Sequence, residues 1–496
     1  MGLKSFLGFC FAKYIVYKNK TWKNNAIKYQ EKTLFSLIKQ AKNTCYGVDH
    51  NFKSILNYSD WKKQVPIKDY EGLKSYVEKV VSGEKNVLWP GRPAYFCKTS
   101  GTTSGIKFIP LSKEAIPYHL KGARDAILSY IEESKDFSLV NGKMMFLQGS
   151  PVLKDTNGVP TGRLSGITAY HVPRYLLKNR LPSFKVNCIE EWEEKVDAIV
   201  DETINQPMSL IGGIPPWVQM YFEKINKKSG KKIKEVFPKL SLFVYGGVNY
   251  EPYRNSIEKL FGGPVSGVEV YPASEGFIAY QDSQIKNGLL LCVNHGIFYE
   301  FIPAEEFYNA SPTRISLKDV RVNVNYVIIL NTNSGLWGYN IGDTVKFVSL
   351  SPYKIIVTGR IKHFTSAFGE HVISEEVEGA LQEALKKHPA EINEFHVAPQ
   401  VNPKKGLPYH EWFIEFEKKP KNIGGLKNLI DVCLQKRNTY YKDLIKGRVL
   451  KPLEITLLKK NSFRNYMNSE GKLGGQNKVP RLANDRIIAE KLISLL

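Results

Sequence analysis

The sequence has no CxxC pair, no HExxH, no GxSxG and no apolar run near the roughly 18 residues needed to cross a bilayer. Its six cysteines, Cys10, Cys45, Cys97, Cys188, Cys292 and Cys433, are scattered singly. Single, scattered thiols exclude a cysteine-based zinc site, argue against a disulfide framework and point to a reducing, cytoplasmic compartment. Without paired-histidine spacing there is no zinc signature, and without a nucleophile elbow there is no sign of a covalent serine mechanism. No internal repeat and no low-complexity tract is present. The apolar stretch Phe6–Phe11 is short, stops before Lys13 and lacks a small-residue cleavage pattern, so it does not read as a signal peptide. Phe6 stands where myristoylation of Gly2 would need a hydroxyl.

Acidic residues are in short supply: 48 Asp plus Glu face 70 Lys plus Arg, a net charge of +22. Such an excess accompanies nucleic-acid or anionic-membrane binding when it is gathered on one arm or face. Here it is spread, +7 over residues 361–496 and +15 over the rest. The local clusters (Lys227, Lys228, Lys231, Lys232 and Lys234, then Lys418, Lys419 and Lys421) are short and lack interleaved aromatics. The expectation is therefore no nucleic-acid partner and no membrane, with a field suited to an anionic small substrate.

At 496 residues, 43% hydrophobic and 24% charged, the chain has an ordinary globular balance and a length that implies two or three domains. The first 90 residues read mainly as helix, broken at Trp61–Pro66, with Leu34, Leu37, Ile38 and Ala41 on one helical face. From about Tyr95, short apolar runs (Met144–Gln148, Ser209–Gly212, Leu242–Tyr245, Val265–Tyr271) alternate with the helical stretches Val218–Lys228 and Tyr253–Phe261. This is the pattern of buried strands in an α/β sheet with functional loops at their ends. Residues 289–349 are β-rich and read as antiparallel, as a small barrel or a distorted sheet. After Gly359–Arg360 a compact α+β unit follows, with helices Glu375–Lys386 and Leu426–Arg437 and strands Glu394–Ala398, Trp412–Glu417 and Leu453–Leu458. The expected fold is α/β, with a large N-terminal domain over 1–360 and a smaller α+β domain over 361–496.

Five segments carry chemistry. In Lys98-Thr99-Ser100-Gly101-Thr102-Thr103-Ser104-Gly105-Ile106-Lys107, seven consecutive residues are Gly, Ser or Thr. Small residues let backbone N–H groups approach an anion, hydroxyls add donors and Lys107 adds charge. No Walker A register fits. The segment lies between an apolar run and a helix-like stretch after Ser112, and reads as a phosphate loop. In Glu269-Val270-Tyr271-Pro272-Ala273-Ser274-Glu275-Gly276 a buried strand ends in a carboxylate that could hold Mg²⁺ on a triphosphate. In Gly335-Leu336-Trp337-Gly338-Tyr339-Asn340-Ile341-Gly342-Asp343-Thr344-Val345, Asp343 is either a turn residue or an acceptor for ribose hydroxyls. Gly359-Arg360-Ile361-Lys362-His363 with Phe368–Val372, and Gly474–Arg481 with Lys478, read equally well alone as basic turns or as site segments.

In order and spacing these segments resemble the acyl-adenylate-forming superfamily of acyl-CoA synthetases, adenylation domains and luciferases. Within it they are most similar to its Gretchen Hagen three branch, the auxin-responsive acyl-acid amido synthetases, and to a bacterial-type member. The resemblance implies that Ser100, Gly101, Thr102, Thr103 and Lys107 contact ATP phosphates. It also implies that Tyr271 and Ser274 line the adenine and α-phosphate side, with Gly246 and Gly247 in the loop beside adenine. Glu275 would hold Mg²⁺, Asp343 would bind ribose and Arg360 would add a ribose or phosphate contact. Lys362 lies at the hinge of a mobile C-terminal domain, and Lys478 is the candidate lysine that domain brings to the site. The activity implied is a ligase that converts a carboxylic acid and ATP to acyl-AMP and pyrophosphate, then passes the acyl group to an amine such as an amino acid. A thiol acceptor such as CoA, and a nucleotide-binding protein without catalysis, stay open as alternatives. His171, His295 and His371 are histidine candidates, and residues 119–175 with Arg124 are candidates for the acyl pocket.

Overall fold

The computed structural model describes the chain apart from residues 1–2, 101–105, 191, 248–249, 310, 362–363, 366–371, 447–448, 473–477, 484 and 496. It separates into a larger unit of residues 1–341 and 345–356 and a smaller unit of 342–344 and 357–496.

The larger unit opens with helices. Ala26–Ala41 buries Leu34, Leu37, Ile38 and Ala41, residues at the three- and four-residue steps of one helical face. Asn57 and Asp69 cap the helices Tyr58–Gln64 and Tyr70–Val81 by accepting from the backbone N–H groups of Asp60 and Gly72. The break expected at Trp61–Pro66 is thus displaced. Trp61 lies inside the helix Tyr58–Gln64, fully buried, because Asp60 is a first-turn residue and the helix ends just before Pro66.

The central element is a sheet of 12 strands among the described residues. At one side Lys143–Phe146, Met208–Gly212, Leu242–Gly246 and Ser266–Ala273 run parallel. Every residue of Met208–Gly212 is buried, as expected for a strand covered on both faces. The helices Pro215–Ser229 and Glu251–Phe261 end at Gly230 and Gly262, both left-handed, and pack Val218, Phe222, Tyr253 and Ile257 into the apolar layer beside these strands. The sheet then continues through the antiparallel Gly276–Tyr280 and Leu289–Leu291 to Tyr353–Arg360, Tyr339–Leu350, Asn325–Thr332, Ile297–Pro303 and Ile315–Ser316. The β-rich segment 289–349 is therefore part of the same sheet. Residue alternation alone cannot distinguish a separate barrel from such an extension.

A buried polar network pins the far side of this sheet. Arg314 donates through Nε and Nη2 to Glu300, at 2.7 and 2.6 Å, and Trp61 Nε1 and Asn331 Nδ2 donate to the same carboxylate at 3.1 and 2.8 Å. Glu300 is entirely enclosed, and only this full set of donors makes its charge tolerable there.

In the smaller unit the strands Glu391–Gln400 and Tyr409–Lys418 pair antiparallel, and Glu454–Leu458 joins parallel to the latter. Val377, Leu381, Leu426, Ile430 and Leu434 from the helices Ser374–Lys387 and Ile423–Arg437 fill its core with Phe395, Trp412 and Ile414.

Candidate active site

The parallel strands of an α/β sheet place ligand-binding loops at their carboxyl ends. There, Gly246 pairs with Val270, and a Cβ on Gly246 would sit 2.1 Å from the Val270 carbonyl oxygen. Gly247 follows at a φ of +81°. The Gly-Gly pair is thus demanded by close backbone approach and a left-handed turn. One residue beyond Val270, Tyr271 is buried. Ala273 pairs with Gly276, so Ser274 and Glu275 form the two-residue turn of a hairpin and stand together, half-buried, at the end of the sheet.

The Gly/Ser/Thr segment is held by a second hairpin. Tyr95–Ser100 pairs antiparallel with Ile106–Leu111, Thr99 opposite Lys107 and Cys97 opposite Ile109. This corrects the expected strand–loop–helix order: a strand intervenes, and the helix begins only at Ile116. Gly101, Thr102 and Thr103 lie outside the described residues, as does the Ser100 side chain. Lys107 holds its ammonium 5.2 Å over the Tyr70 ring, and the Tyr70 hydroxyl accepts from the Phe108 N–H at 3.0 Å. Cys97 is fully buried, and its thiol is pushed up by burial and then by the charge of Glu275. Glu275 is thus electrostatically coupled to the strand that leads into the Gly/Ser/Thr segment.

Asp343, Arg360 and Lys478 come together within the smaller unit. Arg360 Nε lies 2.8 Å from Asp343 Oδ1, with Asp343 16% and Arg360 48% exposed. Gly342, at φ +88°, turns the chain beside them, and its carbonyl accepts from the Ile361 N–H at 2.6 Å. Surrounding protein pushes the Lys478 ammonium down to about 8; Asp343 opposes that drop, and Arg360 and Arg481 deepen it. The residue stays open to solvent, which tempers the effect.

Of the other candidates, His171 Nε2 is 3.1 Å from the Tyr95 hydroxyl. His295 is buried and stacks on Tyr118 at 5.4 Å, and burial drives its imidazole well below the usual range. Arg124 donates to the buried Asp125 at 2.8 and 2.7 Å. Lys362 and His371 lie outside the described residues. Three neighbours of the candidate residues carry no assignment from the sequence: Tyr70 beneath Lys107, Cys97 in the field of Glu275, and Glu269 on the strand that leads to Tyr271. Burial and Glu251 push the Glu269 carboxyl up to about 7. None has a local sequence signal, because each acts through a partner distant in the chain.

No group of three or more His, Cys, Asp or Glu that could cage a metal occurs among the described residues. A single carboxylate at Glu275 nevertheless fits magnesium, which is commonly held by one or two carboxylates together with substrate phosphates and water.

Matches to known families decide the affiliation. The GH3 family N-terminal domain matches residues 18–184, its central domain 290–360 and its C-terminal domain 375–487. The chain belongs to the GH3 family. The N-terminal GH3 domain contains the Gly/Ser/Thr hairpin, the central one Asp343 and Arg360, and the C-terminal one Lys478. Among GH3 relatives, jasmonoyl-L-amino acid synthetase JAR4 of Nicotiana attenuata is 22% identical over 65% of this chain and 67% of its own. Indole-3-acetic acid-amido synthetase GH3.15 of Arabidopsis thaliana is 22% identical over 85% of this chain and 84% of its own. The solved GH3.15 acyl acid amido synthetase in complex with 2,4-DB shares the fold at a TM-score of 0.79, with 16% identity over 98% of this chain and 96% of that one. A 2-hydroxyisobutyryl-CoA ligase in complex with 2-HIB-AMP shares it at 0.57, with 12% identity over 94% and 91%. The GH3 fold here is thus a mixed α/β architecture of the adenylate-forming type.

Proposed function

We propose that this GH3 protein is an ATP-dependent acyl-acid amido synthetase, a carbon–nitrogen bond-forming ligase. Its substrates in this reading are a small carboxylic acid, an amino acid acceptor and ATP. The observation that supports it most is the match to all three GH3 domains in a chain that carries Ser274–Glu275 on a hairpin turn at the end of the parallel strands and the Gly/Ser/Thr segment between two paired strands. Relatives named as a jasmonoyl-L-amino acid synthetase and an indole-3-acetic acid-amido synthetase favour an amine over CoA as acceptor.

In the first half-reaction a carboxylate oxygen of the acid attacks the α-phosphorus of ATP. The bond from that phosphorus to the pyrophosphate oxygen breaks, leaving acyl-AMP. Two anions must approach each other. Lys107 and the N–H and hydroxyl donors of Ser100, Gly101, Thr102 and Thr103 offset the repulsion and hold the phosphates in line for attack. Tyr271, Ser274, Gly246 and Gly247 shape the adenine and α-phosphate side, and Asp343 and Arg360 receive the ribose. Glu275 is the residue that would hold magnesium, which when bound would supply further charge neutralisation.

In the second half an amine nitrogen attacks the acyl carbon, the carbon–oxygen bond to AMP breaks and the amine loses a proton. Residues 361–496 act as the mobile part, with Lys478 serving the adenylation half and the domain then moving to admit the amine. No described helix is long and apolar enough to cross a membrane. The single, scattered cysteines favour a cytoplasmic location.

The test is acid-dependent pyrophosphate release from Mg-ATP with hydroxylamine as trap, across aromatic and aliphatic acids, followed by amino acids against CoA as acceptors. The proposal expects hydroxamate in the first step and amide in the second. A thioester with CoA and no amide would move the assignment to a CoA ligase.

A further inference from the structure

The helix Leu3–Asn24 is apolar on two sides. Its inner face buries Ala12, Ile15 and Trp22. It is tied down by Asn19, which donates to Asp125 at 3.0 Å and accepts from Trp22 within the helix at 2.9 Å, and by a 2.7 Å ion pair from Lys23 to Asp282. Phe9 meets Phe137 edge-on at 4.9 Å. The opposite face is not covered. Phe6, Leu7, Phe11, Tyr14 and Tyr17 are 53%, 57%, 45%, 57% and 70% exposed, and Cys10 is exposed among them. These positions recur at three- and four-residue steps, so they form one outward stripe along an anchored helix.

What borders the stripe selects its partner. Lys13 precedes Tyr17 by four residues and Lys18 follows Tyr14 by four, so the two flank the stripe; both are exposed, as is Lys20. The helix contains no Asp or Glu. An aromatic face rimmed by lysines suits the headgroup–acyl boundary, where rings sit among lipid carbonyls and ammonium groups reach anionic phosphates. A second copy of the helix would bring lysine rims together without any carboxylate to pair them, which disfavours self-association through this face. The lysine clusters elsewhere in the chain lack interleaved aromatics; here the two coincide.

We propose that the outward face of Leu3–Asn24 seats the protein on an anionic phospholipid surface, peripherally and without crossing it. The stripe enters the interface and Lys13, Lys18 and Lys20 meet the phosphates. This inference is independent of the ligase assignment.

The test is sedimentation of the full chain with vesicles of phosphatidylcholine alone and of phosphatidylcholine with phosphatidylglycerol. Wild type is expected to partition onto the anionic vesicles, and added salt to release it. Lys13→Gln with Lys18→Gln should weaken partitioning by about twenty-five-fold, at roughly fivefold per lysine. Leu7→Gln/Phe11→Gln/Tyr14→Gln should abolish it while leaving the melting temperature and pyrophosphate release unchanged, because these side chains face solvent. Absence of wild-type binding to anionic vesicles would overturn the proposal, as would equal binding by the triple variant. So would a solution dimer that the triple variant dissociates, with no vesicle binding by either protein.

Discussion

Arg360 and Asp343 form an ion pair, Nε to Oδ1 at 2.8 Å, in the segment where the smaller unit takes over the chain. Each is a proposed contact for the nucleotide, so the pair sets the carboxylate's orientation before ATP arrives. Asp343→Ala removes charge-assisted hydrogen bonds, and the KM for ATP should rise by about ten- to a hundredfold. Steady-state kinetics with ATP varied will show this; an unchanged KM with a lowered kcat would place Asp343 elsewhere in the mechanism. Arg360→Lys should rescue only partly, since an ammonium lacks the planar fork.

Lys478 carries an ammonium pushed down to about 8. As a cation serving adenylation it should make that half-reaction decline as pH rises through about 8. Lys478→Arg should move the decline to higher pH, and Lys478→Gln should slow pyrophosphate release by about a hundredfold below pH 8, with the deficit shrinking as pH rises above it. Amide formation from supplied acyl-AMP should be unaffected. Stopped assays of the two halves separate these outcomes.

Glu269 titrates near 7 because burial and Glu251 disfavour its charge. The folded state therefore favours the protonated carboxyl. Its stabilising contribution is complete below the ordinary value of 4.5 and is lost as pH rises through about 7. Glu269→Gln should flatten that dependence and raise stability above pH 7 by on the order of 2–3 kcal/mol. Thermal melts of both proteins across the window will check it; parallel pH profiles would contradict it.

Gly246→Ala places a methyl group against the Val270 carbonyl. Backbone on one side and a paired strand on the other leave nothing flexible to yield, so a loss of about 3 kcal/mol or more is expected. A denaturant midpoint matching wild type would show that the strands separate more easily than their packing implies.

Arg314→Met strands the enclosed Glu300 carboxylate and should cost about 3–5 kcal/mol. Combining it with Glu300→Gln should restore part of the loss, because the uncompensated charge is then gone. Chemical denaturation of the single and double variants measures the difference.

Much of the fold was legible where local pattern and burial coincide. Met208–Gly212 and Leu242–Gly246 are apolar runs because both faces are covered, and Leu34, Leu37, Ile38 and Ala41 mark a helix because one face is. The Ile106–Leu111 strand was hidden by Pro110, which disfavours interior strands yet is tolerated here because the strand lies at the edge of its sheet. The continuity of 289–349 with the parallel strands, the Arg360–Asp343 pair and the contact of Lys107 with Tyr70 all depend on residues brought together by topology. Trp337 sits inside the Gly335–Asp343 motif yet serves the core, fully buried and donating to the Leu88 carbonyl at 3.0 Å. A motif thus mixes packing and binding residues that sequence alone does not sort.

The most direct measurement follows a heavy oxygen isotope placed in the carboxylate of an accepted acid through a complete turnover with ATP and amine. Acyl-AMP chemistry transfers one labelled oxygen to AMP and keeps the other in the amide, and mass spectrometry of the AMP will show the label. Amide formation with unlabelled AMP would contradict activation at the α-phosphate.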